Sequence, residues 1–365
     1  MGKISKLTFK ELEIEGYERV VEVFNESVGL HAIIAVHTTT LGPALGGIRV
    51  YPYKTMEEGL TDVLRLADGM SRKAAVAGTG TGGGKAVIFA DSRAPKSKEL
   101  LHAFGEAVNE FGGSYICAED VGMRVEDVAV IHEVTESVVG LPETSGNPSL
   151  FTAWGTFRGV QAVCEQIFGN QSVGGKVVAI QGLGSVGLEL AKHLFWGGAE
   201  LIVADINAEA VAYAVKHLGA RAVSVDEILT VECDILAPCA LGGILDKETI
   251  PQLRCKGIAG ATNNQLLTPE DGDLLFERGI LYAPDYVINS GGLLNVLEEI
   301  TPQGYNPVVA RNKVDGIFDV LMRIFNISKE RGMATNRVAD EIAIQNLKHG
   351  IGKRTEKVVF HSKIS

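Results

Sequence analysis

The chain has 365 residues, 46% of them apolar and 22% charged, which suits about two globular domains with ordinary cores. A net charge of −11 with no basic block argues against nucleic acid or an anionic membrane surface as partner. No apolar run approaches the ~18 residues of a spanning helix, and the start, MGKISKLTFKELEIEG, has no leader-like apolar stretch, so a cytoplasmic protein is expected.

In chain order, the runs HAIIAVH (31–37), GGIRVYPY (46–53), KAVIFAD (85–91) and SYICAED (114–120) read as strands. They bracket a helical stretch, EEGLTDVLRLADGM (57–70), in which Leu60, Val63, Leu64 and Ala67 recur at helical spacing. LPETSGNPSL (141–150) is rich in turn formers and reads as a linker, with a helix, FTAWGTFRGVQAVCEQIF, after it. Strand and helix then alternate: KVVAIQ (176–181), LIVAD (201–205), the helix AEAVAYAVKHLG (208–219), and the runs AVSV (222–225), CDILAPC (233–239), KGIAG (256–260) and ILYAP (280–284). This alternation predicts a parallel, doubly wound sheet. From about Gly292 the pattern is mostly helical.

Two glycine-rich stretches stand out. GTGTGGGKAV (78–87) looks like a phosphate loop, but G-x-x-x-x-G-K-[ST] needs a glycine where Thr79 stands and a hydroxyl where Ala86 stands. The glycines instead predict open space around Lys85, for a substrate and a nicotinamide ring to come close. The second stretch, QGLGSVG, places Gly182, Gly184 and Gly187 in a G-x-G-x-x-G that follows a strand and opens a helix. Its backbone, from Gly182 through Leu183, Gly184, Ser185 and Val186 to Gly187, is expected to approach a pyrophosphate. Asp205 ends the next strand, 18 positions after Gly187, where a carboxylate accepts from the adenosine ribose hydroxyls. Ile206 and Asn207 follow, with no arginine for a 2′-phosphate, so NAD is favoured over NADP. The alternative is a tight strand–helix turn with Asp205 as a helix cap.

Five dispersed cysteines (Cys117, Cys164, Cys233, Cys239 and Cys255) without a C-x-x-C pair read as reduced core thiols. No His/Cys/carboxylate cluster has ligand spacing, so no metal is expected. The fold expected is α/β with two domains. An N-terminal α/β substrate domain over 1–145 is completed by C-terminal helices (about 330–365) that return toward it. A Rossmann-type NAD domain covers 146–330.

The motifs GPALGGIRVYPY, GMSRKAA, GGGKAVI, AEDVG, SGNPS, QGLGSVG, IAGATNNQL and APDYVINSGG resemble, in this order, those of the Glu/Leu/Phe/Val dehydrogenases, the leucine type most of all. The resemblance runs from about residue 30 to residue 300. It implies oxidative deamination of an amino acid to its 2-oxo acid and ammonia with NAD. It also implies a homo-oligomer, dimer or octamer. Lys85 matches the lysine that activates water, and Asp120 the acid that shuttles protons. Lys73 matches the holder of the substrate carboxylate, and Gly46 and Gly47 the turn whose backbone approaches it. Asn263 matches a residue near the nicotinamide ribose and Asn264 one near the substrate amine. Thr152 and Asn289 are placed with the cofactor.

In the family's glutamate enzymes a lysine and a serine grip the γ-carboxylate. The matching positions here are Leu45 and Val296. With Ala118 and Leu293 they imply an aliphatic pocket, where a second carboxylate would lie unpaired. Ala118 suits the leucine type, while Leu293 is bulkier and is similar to the phenylalanine type, which leaves phenylalanine-, valine- and tryptophan-type activities open. A non-catalytic NAD sensor on the same fold is the other alternative, although Lys73, Lys85 and Asp120 are all present. Thr79 and Thr81 stand where the family has aliphatic residues, and Ser290 where it has alanine.

Overall fold

In the computed structural model, which describes residues 7–361, strand-rich and helix-rich segments collect into two units. Expectations for the chain ends beyond those bounds lie outside the described residues. The first unit comprises residues up to Asn147 with Val296–Pro307 and Ala343 onward. The second comprises Pro148–Asn295 and Val308–Ile342.

The first unit opens with β1 (Thr8–Glu11), β2 (Arg19–Asn25), β3 (Leu30–Thr38) and β4 (Ala44–Tyr51). Helix α1 (Met56–Ala77), β5 (Gly82–Phe89), α2 (Lys98–Asn109), β6 (Tyr115–Glu119) and α3 (Val125–His132) follow. The strands form one sheet in the order β1-β2-β3-β5-β4-β6, antiparallel from β1 to β5 and parallel across β5, β4 and β6. Period-two alternation gives each strand two apolar faces, because helices cover the sheet on both sides. Val63 and Ala67 of α1 pack with Val20, Ile33, Ala35 and Val87 on one face. Phe104, Val108, Val128 and Ile131 of α2 and α3 pack with Ile34, Ile48, Ala86, Ile88 and Tyr115 on the other.

Helix α1 begins at Thr55, whose hydroxyl accepts the Glu58 N–H, and ends at Gly78 in the left-handed conformation, φ 64°. The segment Val296–Pro307, placed by sequence with the second domain, counts with the first unit. There the buried Glu299 carboxylate accepts the N–H groups of Gly140 (3.1 Å) and Ser145 (3.1 Å), and Ile300 accepts the Val359 N–H at 3.2 Å. A helical pattern identifies an element but not the sheet it packs on.

The second unit contains α4 (Ser149–Phe168), β7 (Val177–Gln181), α5 (Ser185–Trp196), β8 (Glu200–Ala204), α6 (Ala208–Leu218), β9 (Arg221–Ala222), β10 (Ile235–Pro238) and β11 (Gly257–Ile258). It continues with α7 (Pro269–Glu277), β12 (Leu281–Tyr282), α8 (Asp285–Ile288), α9 (Gly291–Val296), α10 (Pro307–Asp315), α11 (Ile317–Arg331) and the first half of α12 (Thr335–His349), whose residues from Ala343 on belong to the first unit. All six strands are parallel, ordered β12-β11-β10-β7-β8-β9. This is the doubly wound order in which the first strand lies beside the fourth. The run AVSV at 222–225 is not a strand throughout. The ladder stops because the Glu227 carboxylate accepts both the Ser224 N–H (3.0 Å) and its hydroxyl (2.7 Å), which turns the chain. Among the described residues, no helix is long and apolar enough to cross a membrane. The five cysteines are unbridged, and burial pushes the Cys117 and Cys255 thiols up to about 12.

Candidate active site

In the first unit, alternation on three neighbouring parallel strands sets one polar constellation on the sheet face that α1 covers. On β5, Gly83, Lys85 and Val87 point to that face, and on β4 so do Leu45, Gly47 and Arg49. On β6 the same face carries Ala118, with Asp120 just past the strand end. Register brings Gly47 opposite Ala118 and Leu45 opposite Ile116 and Gly83.

Lys85 is buried, its side chain 8% exposed, with Nζ 2.6 Å from Asp120 Oδ2. Burial alone would raise the Asp120 carboxyl, but the charges of Lys85 and Arg49 override it and hold the group at about 2. Arg49 Nε lies 3.4 Å from the same Oδ2, and both atoms are shielded from solvent. Arg49 Nη1 donates to Asp62 Oδ2 at 2.9 Å, and the Tyr53 hydroxyl donates to that oxygen at 2.6 Å. Sequence reasoning missed Arg49, Asp62 and Tyr53. The signal was an arginine inside the apolar strand GGIRVY, on the face of Leu45 and Gly47.

Lys73 sits half-buried on α1, two residues after Ser71. Ser71 packs directly on β5: an added Cβ at Gly83 would meet Ser71 N at 2.1 Å and Ala67 O at 2.6 Å. On the opposite face a Cβ at Gly84 would lie 2.8 Å from the Tyr115 ring. The space predicted around Lys85 is therefore filled by the protein itself. The glycines let the α1 backbone and the Tyr115 ring approach the strand that carries Lys85. A Cβ at Gly46 would strike Gly84 O at 1.7 Å, and one at Gly47 would lie 2.7 Å from Asp120 Cβ. The threonines also find a purpose. Thr79 Oγ1 donates to Ala74 O (3.2 Å) at the end of α1 and, 2.8 Å from Thr81 Oγ1, accepts the Thr81 proton, so both hydroxyls are satisfied.

In the second unit the motif glycines do three different things at the turn between β7 and α5. Gly182 has φ 93° and closes on Ala240. Gly187 lies where a Cβ would meet Gly182 O at 2.0 Å. Gly184 caps α5, and nothing stands within 4 Å of where its Cβ would be, so backbone N–H groups at the helix start are open to an anion. Ser185 is exposed and Val186 half-buried, whereas the Leu183 side chain is buried. Asp205 follows β8. Its Oδ2 accepts the Leu183 N–H at 2.5 Å and its Oδ1 the Asn207 N–H at 2.6 Å, which leaves further acceptor capacity on both oxygens. The cap of α6 is Asn207, not Asp205: its side chain accepts the N–H groups of Glu209 and Ala210.

Asn263 and Asn264 are exposed, and Asn264 has the only positive φ (53°) among the described non-glycine residues. The buried Asn289 donates to Asn263 Oδ1 (2.6 Å) and Ala261 O (3.0 Å). Its own Oδ1 is shielded and accepts no hydrogen bond among the described residues. Thr152 lies in the first turn of α4, where Cβ atoms at Gly291 and Gly292 would meet Phe151 O (2.2 Å) and Thr152 Oγ1 (2.9 Å). Ser290 donates to Val287 O at 2.7 Å, so its hydroxyl is satisfied within its own turn. The open Gly184 and the orphaned Asn289 oxygen fit a nicotinamide dinucleotide. Leu293 and Val296, at i and i+3, share a face of α9, and with Leu45 and Ala118 they are all buried. No group of three or more His, Cys, Asp or Glu with metal-binding geometry occurs among the described residues.

Comparison with known proteins agrees with this architecture. Residues 18–137 match the family model described as Glu/Leu/Phe/Val dehydrogenase, dimerisation domain, and residues 199–336 match Glutamate/Leucine/Phenylalanine/Valine dehydrogenase. The leucine dehydrogenase of Geobacillus stearothermophilus is 49% identical over 342 residues, 93% of each chain. The L-tryptophan dehydrogenase of Nostoc punctiforme is 43% identical over 338 residues, 92% of this chain and 95% of that one. A crystal structure of L-tryptophan dehydrogenase from that organism gives a TM-score of 0.81 at 41% identity, covering 92% of this chain and 96% of the other. Fold, site and relatives define a nicotinamide-dependent oxidoreductase of the amino acid dehydrogenase class. The chain belongs to the Glu/Leu/Phe/Val dehydrogenase family.

Proposed function

We propose that the chain catalyses reversible, NAD-dependent oxidative deamination of a leucine-like aliphatic L-amino acid to its 2-oxo acid and ammonia. The observation that carries this reading is the pairing of the buried Lys85 with the partly buried Asp120, on a sheet face whose neighbouring side chains at Leu45 and Ala118 are apolar. A substrate γ-carboxylate would find no cation at Leu45 or Val296. An unpaired buried charge costs several kcal/mol or more, so glutamate is disfavoured.

Lys73 binds the substrate carboxylate beside the Gly46-Gly47 backbone, and Asn264 contacts the amino group. When bound, NAD supplies the hydride acceptor. Lys85 takes a proton from the water that attacks the substrate iminium, and Asp120 exchanges protons with the departing amine. Gly184, Ser185 and Val186 present backbone N–H groups to the pyrophosphate, and Asn263, Asn289 and Thr152 serve the nicotinamide end. The Asp205 carboxylate, with no arginine following it, favours NAD by repelling a 2′-phosphate. The N-terminal match to a dimerisation domain supports assembly as a homo-oligomer. Lys85→Ala tests the reading: turnover is abolished and NAD binding, followed by fluorescence titration, persists. Near-normal turnover in that variant overturns it.

A further inference from the structure

Two cations converge on one carboxylate in the first unit. Asp120 Oδ2 lies 2.6 Å from Lys85 Nζ and 3.4 Å from Arg49 Nε. Only Lys85 can change charge during the reaction, since a guanidinium stays protonated in proteins. When Lys85 gives up its proton, Arg49 is the cation left in contact with Asp120.

Arg49 is also held back from a full pair with Asp120. A free guanidinium beside a carboxylate settles into a bidentate fork, which would occupy both carboxylate oxygens. Here Nη1 is taken by Asp62 Oδ2 at 2.9 Å, and Asp62 is fixed by the Tyr53 hydroxyl at 2.6 Å and by Arg65 Nη2 at 3.2 Å. The Tyr53 phenol is held in its neutral, donating form, raised by burial and by its bond to Asp62. Arg49 thus presents one edge to one oxygen of Asp120.

We propose that Arg49 is a positioning residue, parked by Asp62 and Tyr53, which keeps Asp120 ionised and correctly aimed while Lys85 is neutral. This rests on the proton-transfer roles given to Lys85 and Asp120 above. The ionisable groups that act on Asp120 or on its partners are Lys85 from β5, Arg49 from β4, Glu119 and Tyr115 from β6, Tyr53 after β4, Asp62 and Arg65 from α1 and, beside Glu119, Glu126 from α3. Glu119 is raised by burial and by Asp120 itself, and burial holds Tyr115 neutral.

The test uses the full-length protein and the variants Arg49→Met, Arg49→Lys and Asp62→Asn, with circular dichroism as the fold control. The Asp120 carboxyl is titrated by carbon-13 NMR, and the pH profile of kcat is measured with leucine and NAD. In Arg49→Met the Asp120 titration moves up by about one unit or more, the acidic limb of kcat follows it, and kcat falls about 10²-fold. Arg49→Lys restores the low titration and at least about a tenth of the lost rate, because a cation remains. Asp62→Asn keeps the titration low yet loses kcat, because the released guanidinium closes on Asp120. An unmoved Asp120 titration in Arg49→Met, or a lysine variant no better than methionine, overturns the proposal. If Arg49→Met fails to fold, the lysine and Asp62→Asn titrations decide, and a raised Asp120 in either overturns it. Wild-type protein inactive on amino acids would sink the functional reading while leaving the titration result to stand by itself.

Discussion

Replacing Gly83 with alanine puts a methyl group where Ser71 N would stand 2.1 Å away, Ser71 Oγ 2.3 Å and Ala67 O 2.6 Å. Two of these are backbone atoms of α1, so no side-chain rotation relieves the clash, and the helix must back away from β5 by more than an ångström. Overpacking of this kind costs about 3 kcal/mol at the upper end of its usual range, offset by about 0.5–1 kcal/mol from the stiffer unfolded chain. The net loss, about 2 kcal/mol, lowers Tm by about 4–8 °C for a unit of this size. Activity falls further than stability, because α1 carries Lys73 and β5 carries Lys85. Gly78→Ala is the control. Its φ of 64° costs about 1–2 kcal/mol, but nothing lies within 4 Å, so kcat/KM is retained. Differential scanning calorimetry and steady-state kinetics read both outcomes. A Gly83→Ala variant with wild-type Tm and kcat/KM would refute the claim that these glycines admit the helix.

Asp120 links stability to pH. Its folded carboxyl, at about 2, lies below the ordinary value, so its contribution is fully present above the unfolded value near 4 and is lost as pH falls through 2. That contribution is about 2 kcal/mol, with roughly half gone at pH 3; urea unfolding of wild type and Asp120→Asn at pH 6 and pH 3 should show the difference between them shrink by about that half. The Thr79–Thr81 hydroxyl pair should give a coupling of about 1 kcal/mol in a valine double-mutant cycle. Additive single effects in that cycle would mean the hydroxyls do not support each other. Under the proposed NAD site, Asp205→Ser should raise kcat/KM for NADP relative to NAD at least several-fold, by removing the charge that would face a 2′-phosphate; an unchanged ratio would remove Asp205 from cofactor choice.

The glycine turn between β7 and α5 was legible because its geometry is local: strand, three glycines, helix and acid all fall within residues 176–205. The Gly83 and Gly84 contacts were not, because what fills the space beside a glycine depends on how α1 and Tyr115 pack on β5, which no motif spacing encodes. Arg49 was missed for a related reason. Alternation places it on a face, but only the order β5-β4-β6 brings it between Lys85 and Asp120. The turn at Ser224–Glu227 shows the limit of apolar runs as strand signals: a capping carboxylate ended the ladder where composition continued it.

The most direct measurement is kcat/KM for leucine, valine, phenylalanine and glutamate, each with NAD and with NADP. Under the proposed function, the apolar residues Leu45, Ala118 and Val296 predict leucine and its branched neighbours with NAD foremost, valine and leucine within about 10- to 200-fold of each other, and glutamate far behind. A preference for glutamate, or no NADH formed with any of the four, would contradict it.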